Sequence, residues 1–153
     1  MTRLTDYGIV LLTYFARDTE RTTHNARDLA RAARLPLPTV NKILKALTRK
    51  GLLLSHRGVK GGYSLARTPE EISMADIITA TEGPVAITQC TVSLPGNCAQ
   101  ETGCPVHLNW QKINDAIRTA LESVNLSEMA RPIPIDPMKP APKTRIEGGA
   151  RVS

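Results

Sequence analysis

Apolar residues in the first third of the chain recur at helical spacing. Ile9, Leu11, Leu12 and Phe15 mark a first helix, with Thr5 placed to cap it and an end near Arg17 and Asp18. Asn25 stands ahead of the alanine-rich segment Ala26 to Ala33, a second helix that Leu35-Pro36 stops. The third helix is the clearest: Pro38 suits a first helical position, Val40, Ile43, Leu44 and Leu47 recur at i, i+3, i+4 and i+7, and Gly51 supplies the stop. One face of this helix is therefore core, and Asn41, Lys42, Lys45, Thr48 and Arg49 fall on the other. Leu52 to His56 and Tyr63 to Ala66 read as two strands joined by the basic, glycine-rich turn Arg57 to Gly62. Three helices followed by such a hairpin predict a winged helix-turn-helix, with the short turn between its second and third helices that the motif requires.

Beyond Pro69 a linker leads into a helical pattern over Met74 to Thr81, carried by Met74, Ile77 and Ile78 and ended by Gly83-Pro84. Later, Val106, Trp110, Ile113, Ile117, Ala120 and Val124 alternate by four and three, the seam of a helix of roughly 18 residues and about 27 Å. Exposed alone, that seam would be wasted, so pairing with a second copy as a homodimer is expected. The predicted architecture is mainly α. It comprises a winged helix-turn-helix with a two-stranded wing (1–67), a linker helix (68–87), a ligand loop (88–107), a long C-terminal dimerisation helix (108–130) and a proline-rich tail expected to be disordered (131–153).

Charge sharpens this division. Residues 1–67 hold thirteen Lys or Arg against four acids, whereas 68–130 hold two against eight. The basic half is suited to phosphates and the acidic half is not. At 153 residues the chain can bury one substantial core. No run approaches the roughly 18 apolar residues of a membrane span, and the short apolar patch Ile9 to Phe15 lacks the features of a secretory signal. The three cysteines, without a signal peptide, point to a reducing cytoplasm, where clustered thiols bind metal or react more often than they form disulfides. No Ser-His-Asp set, phosphate loop or paired carboxylate site emerges; the chain is not expected to be an enzyme or to take a small-molecule substrate.

In a helix-turn-helix the second helix of the motif enters the major groove of double-stranded DNA with its N-terminal residues toward the bases, which makes Thr39, Asn41 and Lys42 candidate base contacts. Lys45 and Arg49, further along, are candidate phosphate contacts. Arg57 and Lys60 at the hairpin tip have the length and charge to reach a minor groove, and the surrounding glycines would let the backbone come close. The second constellation is Cys90, Cys98, Cys104 and His107, gathered in one stretch broken by Pro95, Gly96, Gly103 and Pro105. Three thiolates and an imidazole suit a structural zinc or an iron-sulfur cluster. Their spacing, seven, five and two intervening residues, is wider than the close pairs of zinc ribbons and suits a larger cofactor. A thiol-enzyme reading of Cys104 with His107 lacks an orienting acid. His24 and His56 have no thiol neighbours in sequence, so packing is their default reading.

With these stretches in view, the chain resembles the IscR/NsrR family of bacterial winged-helix iron-sulfur regulators. The likeness is carried by Leu4-Thr5-Asp6-Tyr7, Leu37 to Leu52, Arg57 to Leu65, Ile72 to Gly83 and the cysteine loop, and covers about residues 1–130. Within the family, Cys104-Pro105-Val106 followed by Trp110-Gln111-Lys112-Ile113-Asn114 is most similar to regulators of the SUF cluster-assembly system. The resemblance implies an iron-sulfur-dependent repressor of cluster-assembly genes, acting as a homodimer on a palindromic promoter site. It also implies that Cys90, Cys98 and Cys104 hold the cluster. For the fourth ligand it offers His107, as in members with a [2Fe-2S] cluster, or Asp6 reaching across the dimer, as in nitric-oxide-sensing members with a [4Fe-4S] cluster. His107 and [2Fe-2S] are favoured because His107 adjoins the loop and needs no partner chain.

Overall fold

The computed structural model describes residues 2–18, 20, 21, 23–87 and 105–132. Six α-helices, one two-stranded sheet and a short 3-10 turn follow in order among them: α1 Arg3–Arg17, α2 Ala26–Ala33, α3 Leu37–Arg49, β1 Leu53–His56, β2 Gly62–Leu65, the turn Pro69–Glu71, α4 Met74–Glu82, α5 His107–Glu122 and α6 Leu126–Ala130. This is the expected mainly α, winged helix-turn-helix architecture.

The local signals explain most boundaries. The Asn25 side chain accepts the Asp28 amide and caps α2, while Arg34 ends it in a left-handed conformation (φ 54°). Arg34 to Pro36 then form the turn into α3, whose Val40, Ile43, Leu44 and Leu47 are wholly buried. At about 1.5–3 kcal/mol for each fully buried aliphatic side chain, that row is the main force orienting the helix. The strands pair antiparallel in the register Leu53↔Leu65 to His56↔Gly62. His24 adds a one-residue third strand, exchanging two 2.8 Å backbone hydrogen bonds with Tyr63.

Two differences from the sequence expectations have clear causes. Thr5 does not cap α1; the N-cap position is Thr2, and Thr5 is wholly buried inside the helix. Its hydroxyl donates to Glu82 Oε1 at 2.6 Å and lies 2.9 Å from Thr81 Oγ1, partners on α4 that local spacing does not reveal. The C-terminal segment, in turn, is two helices. After α5 the chain leaves helical geometry so that Asn125 can accept the Glu128 amide and cap α6, while Met74 donates to Val124 O at 2.9 Å and Leu126 to Ile72 O at 2.8 Å. Leu126 thereby enters the main core, and Arg17 donates from α1 to Ala130 O at 2.7 Å. Residues 133–153, which hold most of the expected tail, lie outside the described residues.

Glu82 also accepts the Thr2 amide. Its hydrogen bonds, first from Thr5 and then from Thr2, hold the carboxyl below its ordinary value near 4.5. The folded protein therefore keeps this carboxylate ionised where the unfolded chain has begun to bind a proton, so its contribution is present above the unfolded value and is lost as pH falls through the folded one. Urea titrations from pH 6 to pH 3 should show a steeper acid loss in the parent protein than in Glu82→Gln. Thr5→Val should lower stability at neutral pH by about 1 kcal/mol.

Candidate nucleic-acid interface and ligand face

Because the α3 row Val40, Ile43, Leu44 and Leu47 faces inward, the opposite face is fixed. Lys42, Lys45 and Arg49 are exposed on it, with Thr39 and Asn41 half-buried at its N-terminal end. Thr48 turns back on its own helix, donating to Leu44 O at 2.7 Å. Among the described residues none of these cations, nor Arg57 or Lys60, is paired with a carboxylate; the ion pairs are Arg21 with Asp18, Arg67 with Asp76 and Arg118 with Glu122. Helix α2 adds exposed Arg27 and Arg31, which the sequence reading did not single out.

Arg57, Val59 and Lys60 are exposed at the tip of the wing. Its glycines have an internal reason. A Cβ on Gly61 would stand 2.6 Å from His56 O, and one on Gly62 would stand 2.6 Å from His24 O. The tight turn and the close third strand thus require glycine irrespective of what approaches from outside. The two other histidines are structural, as expected. His56 Nε2 lies 2.7 Å from Ser64 Oγ across the hairpin, and His24 is buried edge-on against Phe15 with ring centroids 4.8 Å apart. Burial, opposed by the charge of Asp18, holds the His24 imidazole below its ordinary 6.5 and so favours the neutral ring.

Cys90, Cys98 and Cys104 lie outside the described residues, and among the described ones no three His, Cys, Asp or Glu side chains converge. The flanks of the loop are described. Ile87, the last described residue before it, donates its amide to Asn114 Oδ1 at 3.3 Å, and Asn114 is only 6% exposed on α5. Pro105 and Val106 return the chain to the start of the same helix. Both flanks of the loop therefore meet on α5. His107 opens α5, its Nε2 2.9 Å from the Gln111 side-chain Nε2 and its Nδ1 buried with no hydrogen-bond partner among the described residues. A buried imidazole nitrogen left unpaired suits a metal ligand, so His107 fits the nitrogen position of an iron-sulfur or zinc site. Asp6, the alternative, sits exposed in the first turn of α1. His107, Gln111 and Asn114 recur at i, i+4 and i+7, a polar spacing present in the sequence beside the more conspicuous apolar seam. The seam itself is real: Ile113 is 45% and Ile117 39% exposed on one side of α5, beside exposed Val106.

Comparison with known proteins places this geometry. Residues 1–132 match the sequence model of the Rrf2 family, described as iron-dependent transcriptional regulators. The chain is 26% identical over 124 residues to the HTH-type transcriptional regulator CymR of Bacillus subtilis, covering 81% of this chain and 84% of CymR. It is 28% identical over 102 residues to the regulator IscR of Aliivibrio salmonicida, covering 67% of this chain and 60% of IscR. Among solved structures, CymR, the global cysteine regulator of B. subtilis, superposes with a TM-score of 0.66 at 25% identity, covering 85% and 95% of the two chains. T. potens IscR superposes with a TM-score of 0.63 at 26% identity, covering 84% of each.

Asn114 should be the clamp between the loop and α5. Asn114→Leu removes the acceptor of the Ile87 amide, and hydrogen exchange at that amide should accelerate about tenfold, the equivalent of ~1.4 kcal/mol, while amides within α3 keep their protection.

Proposed function

The chain belongs to the Rrf2 family of transcriptional regulators and is not an enzyme, and we propose that it is an iron-sulfur-dependent regulator that binds double-stranded DNA as a homodimer. The observation that carries this reading is the pairing of an unneutralised cationic face, on α3 and the wing tip, with a ligand loop whose two flanks are gathered on α5. Thr39, Asn41 and Lys42 read bases in the major groove, Lys45 and Arg49 hold phosphates, and Arg57 and Lys60 reach the minor groove. The exposed Ile113 and Ile117 stripe pairs with the same stripe of a second copy, placing two α3 helices on the half-sites of a palindromic promoter about 34 Å apart.

Cys90, Cys98, Cys104 and His107 are the proposed ligands of a [2Fe-2S] cluster; a [4Fe-4S] cluster completed by the partner subunit's Asp6 is the alternative. When bound, the cluster supplies a redox-sensitive centre whose presence reports iron-sulfur supply or oxidative and nitrosative damage. The protein's part is mechanical. Ile87 and Asn114 tie the chain leaving α4 to α5, so the state of the loop bears on the angle between the dimer helix and the DNA-binding module. The proposed role is repression of cluster-assembly genes of the SUF or ISC type, in the cytoplasm, where the thiols stay reduced. The family's iron-dependent description and the IscR relatives support the metal; the SUF assignment rests on the Cys104 to Asn114 resemblance.

Anaerobic isolation with iron, sulfide and zinc analysis tests the cofactor: one zinc and no iron would replace the cluster by a structural metal. Footprinting of cluster-loaded and cluster-free protein on one promoter site at matched salt should give separated binding curves, and coincident curves would reject the switch. Contact roles separate by mutation. Asn41→Ala should weaken cognate DNA selectively by about 1–3 kcal/mol, whereas Lys45→Ala should weaken cognate and random DNA alike and reduce the salt slope by about one.

A further inference from the structure

The hydrogen bond between Gln111 and His107 has chemical consequences beyond packing. The two residues are one helical turn apart at the start of α5, and the Gln111 side-chain nitrogen Nε2 lies 2.9 Å from His107 Nε2. The other ring nitrogen, Nδ1, is buried with no hydrogen-bond partner among the described residues. A neutral imidazole carries its proton on one nitrogen and a lone pair on the other, and a carboxamide presents a donor or an acceptor by turning over. With the amide nitrogen against Nε2, as the atoms are placed, the amide N–H donates, the proton stays on Nδ1 and a buried N–H donor is left without an acceptor. With the carboxamide turned over about its terminal bond, the amide oxygen accepts from Nε2–H, and Nδ1 keeps its lone pair, sheltered from water and free to bind a metal. Only the second arrangement gives both ring nitrogens something to do.

We propose that Gln111 is the positioning residue of the ligand site: its carbonyl oxygen accepts the Nε2 proton of His107, fixes the ring orientation and presents Nδ1 as the ligating atom. This rests on the reading of His107 as a cluster ligand. Gln111 does not touch the metal; it acts through the imidazole, selecting the tautomer and setting how strongly the ring donates electrons. Its side chain is exposed outside the core, so its replacement tests the ligand and not the fold. Asn114, one turn further along, holds the loop entrance through Ile87, so successive polar residues of one helix face serve the ligand and the loop separately.

The test uses the full chain, isolated anaerobically with its iron, in parent form and as Gln111→Glu, Gln111→Leu and His107→Ala. Histidine carrying ¹⁵N at Nδ1 alone, or at Nε2 alone, is incorporated, and pulsed electron paramagnetic resonance of the reduced protein reads which nitrogen couples strongly. The protein has three histidines, and loss of the coupling in His107→Ala assigns it. The expected result is strong coupling from the Nδ1 label and weak coupling from the Nε2 label. Gln111→Glu, a stronger acceptor, should retain the pattern and lower the reduction potential. Gln111→Leu should lose the single pattern or several-fold of its iron at matched protein, with unchanged helical circular dichroism. Strong coupling from Nε2, or a Gln111→Leu protein identical to the parent in coupling, potential and iron content, overturns the proposal while leaving His107 a ligand. A His107→Ala protein with unchanged spectra removes the reading beneath it as well.

Discussion

The burial of one row on α3 governs the rest of the molecule. With Val40, Ile43, Leu44 and Leu47 all sealed in the core, the rotation of this helix about its axis is fixed. Turning it by one position, about 100°, would expose aliphatic side chains and bury charged ones. The direction in which Asn41, Lys42, Lys45 and Arg49 point is therefore a property of the core and not of the surface. A rotation fixed by packing is also a rigid one, since a close-packed interior resists partial adjustment. Any regulation must move α3 as a body with its module and cannot adjust its contacts residue by residue.

What could move the module is set by α1 and α4. Helix α1 packs on α2, α3, α4 and α6, and its ends are tied to the C-terminal half by polar links, Thr5 to Glu82 at the start and Arg17 to Ala130 at the finish. Helix α4 is begun by the reciprocal capping of Ser73 and Asp76, with Arg67 from the end of the wing also reaching Asp76. The chain after the wing is thus bound to the start of α4 within a few residues. Helix α5, by contrast, meets the body mainly through α4 and the Asn114 clamp, and its apolar stripe is open. The module is thus joined to α4 and α6 by both core packing and polar links, whereas α5 joins the core chiefly through Leu121 near its end.

This division also explains what could be read in the sequence. Elements whose signals are local were legible: Asn25 before α2, the i, i+3, i+4, i+7 row of α3, the glycine turn of the wing, and Gly83 after α4. Elements defined by distant partners were not. Thr5 has the chemistry of a cap, and its use as a buried link to α4 depends on a residue 77 positions away. Asn125 is hidden in the sequence because the four-three seam runs on through Val124, although Asn125 breaks the helix to cap α6 and forms a bridge with Ser73. At the ligand site the donor set was legible because its chemistry lies in residue type, whereas the second tier, Gln111 and Asn114, was hidden inside a helix read for its apolar face. Two periodic patterns share one helix there, and the apolar one is the louder.

The charge division takes on a different meaning once the partners are known. The acidic half of the chain is not simply repelled by phosphate; much of its charge is already used. Asp76 closes a helix cap and holds Arg67, Glu71 accepts from Thr68, Glu82 receives Thr5, and Glu122 pairs with Arg118. The cations of α3 and the wing tip have no such partners among the described residues. Exposed ion pairs add little to stability, so leaving those cations free costs the fold little, while their unneutralised field is available to a polyanion. The sequence shows that the two halves differ in sign; the structure adds that Asp76 and Glu82 link α4 to the module while Glu71 and Glu122 pair locally, and that the cations left over stand on a face whose direction the core has fixed.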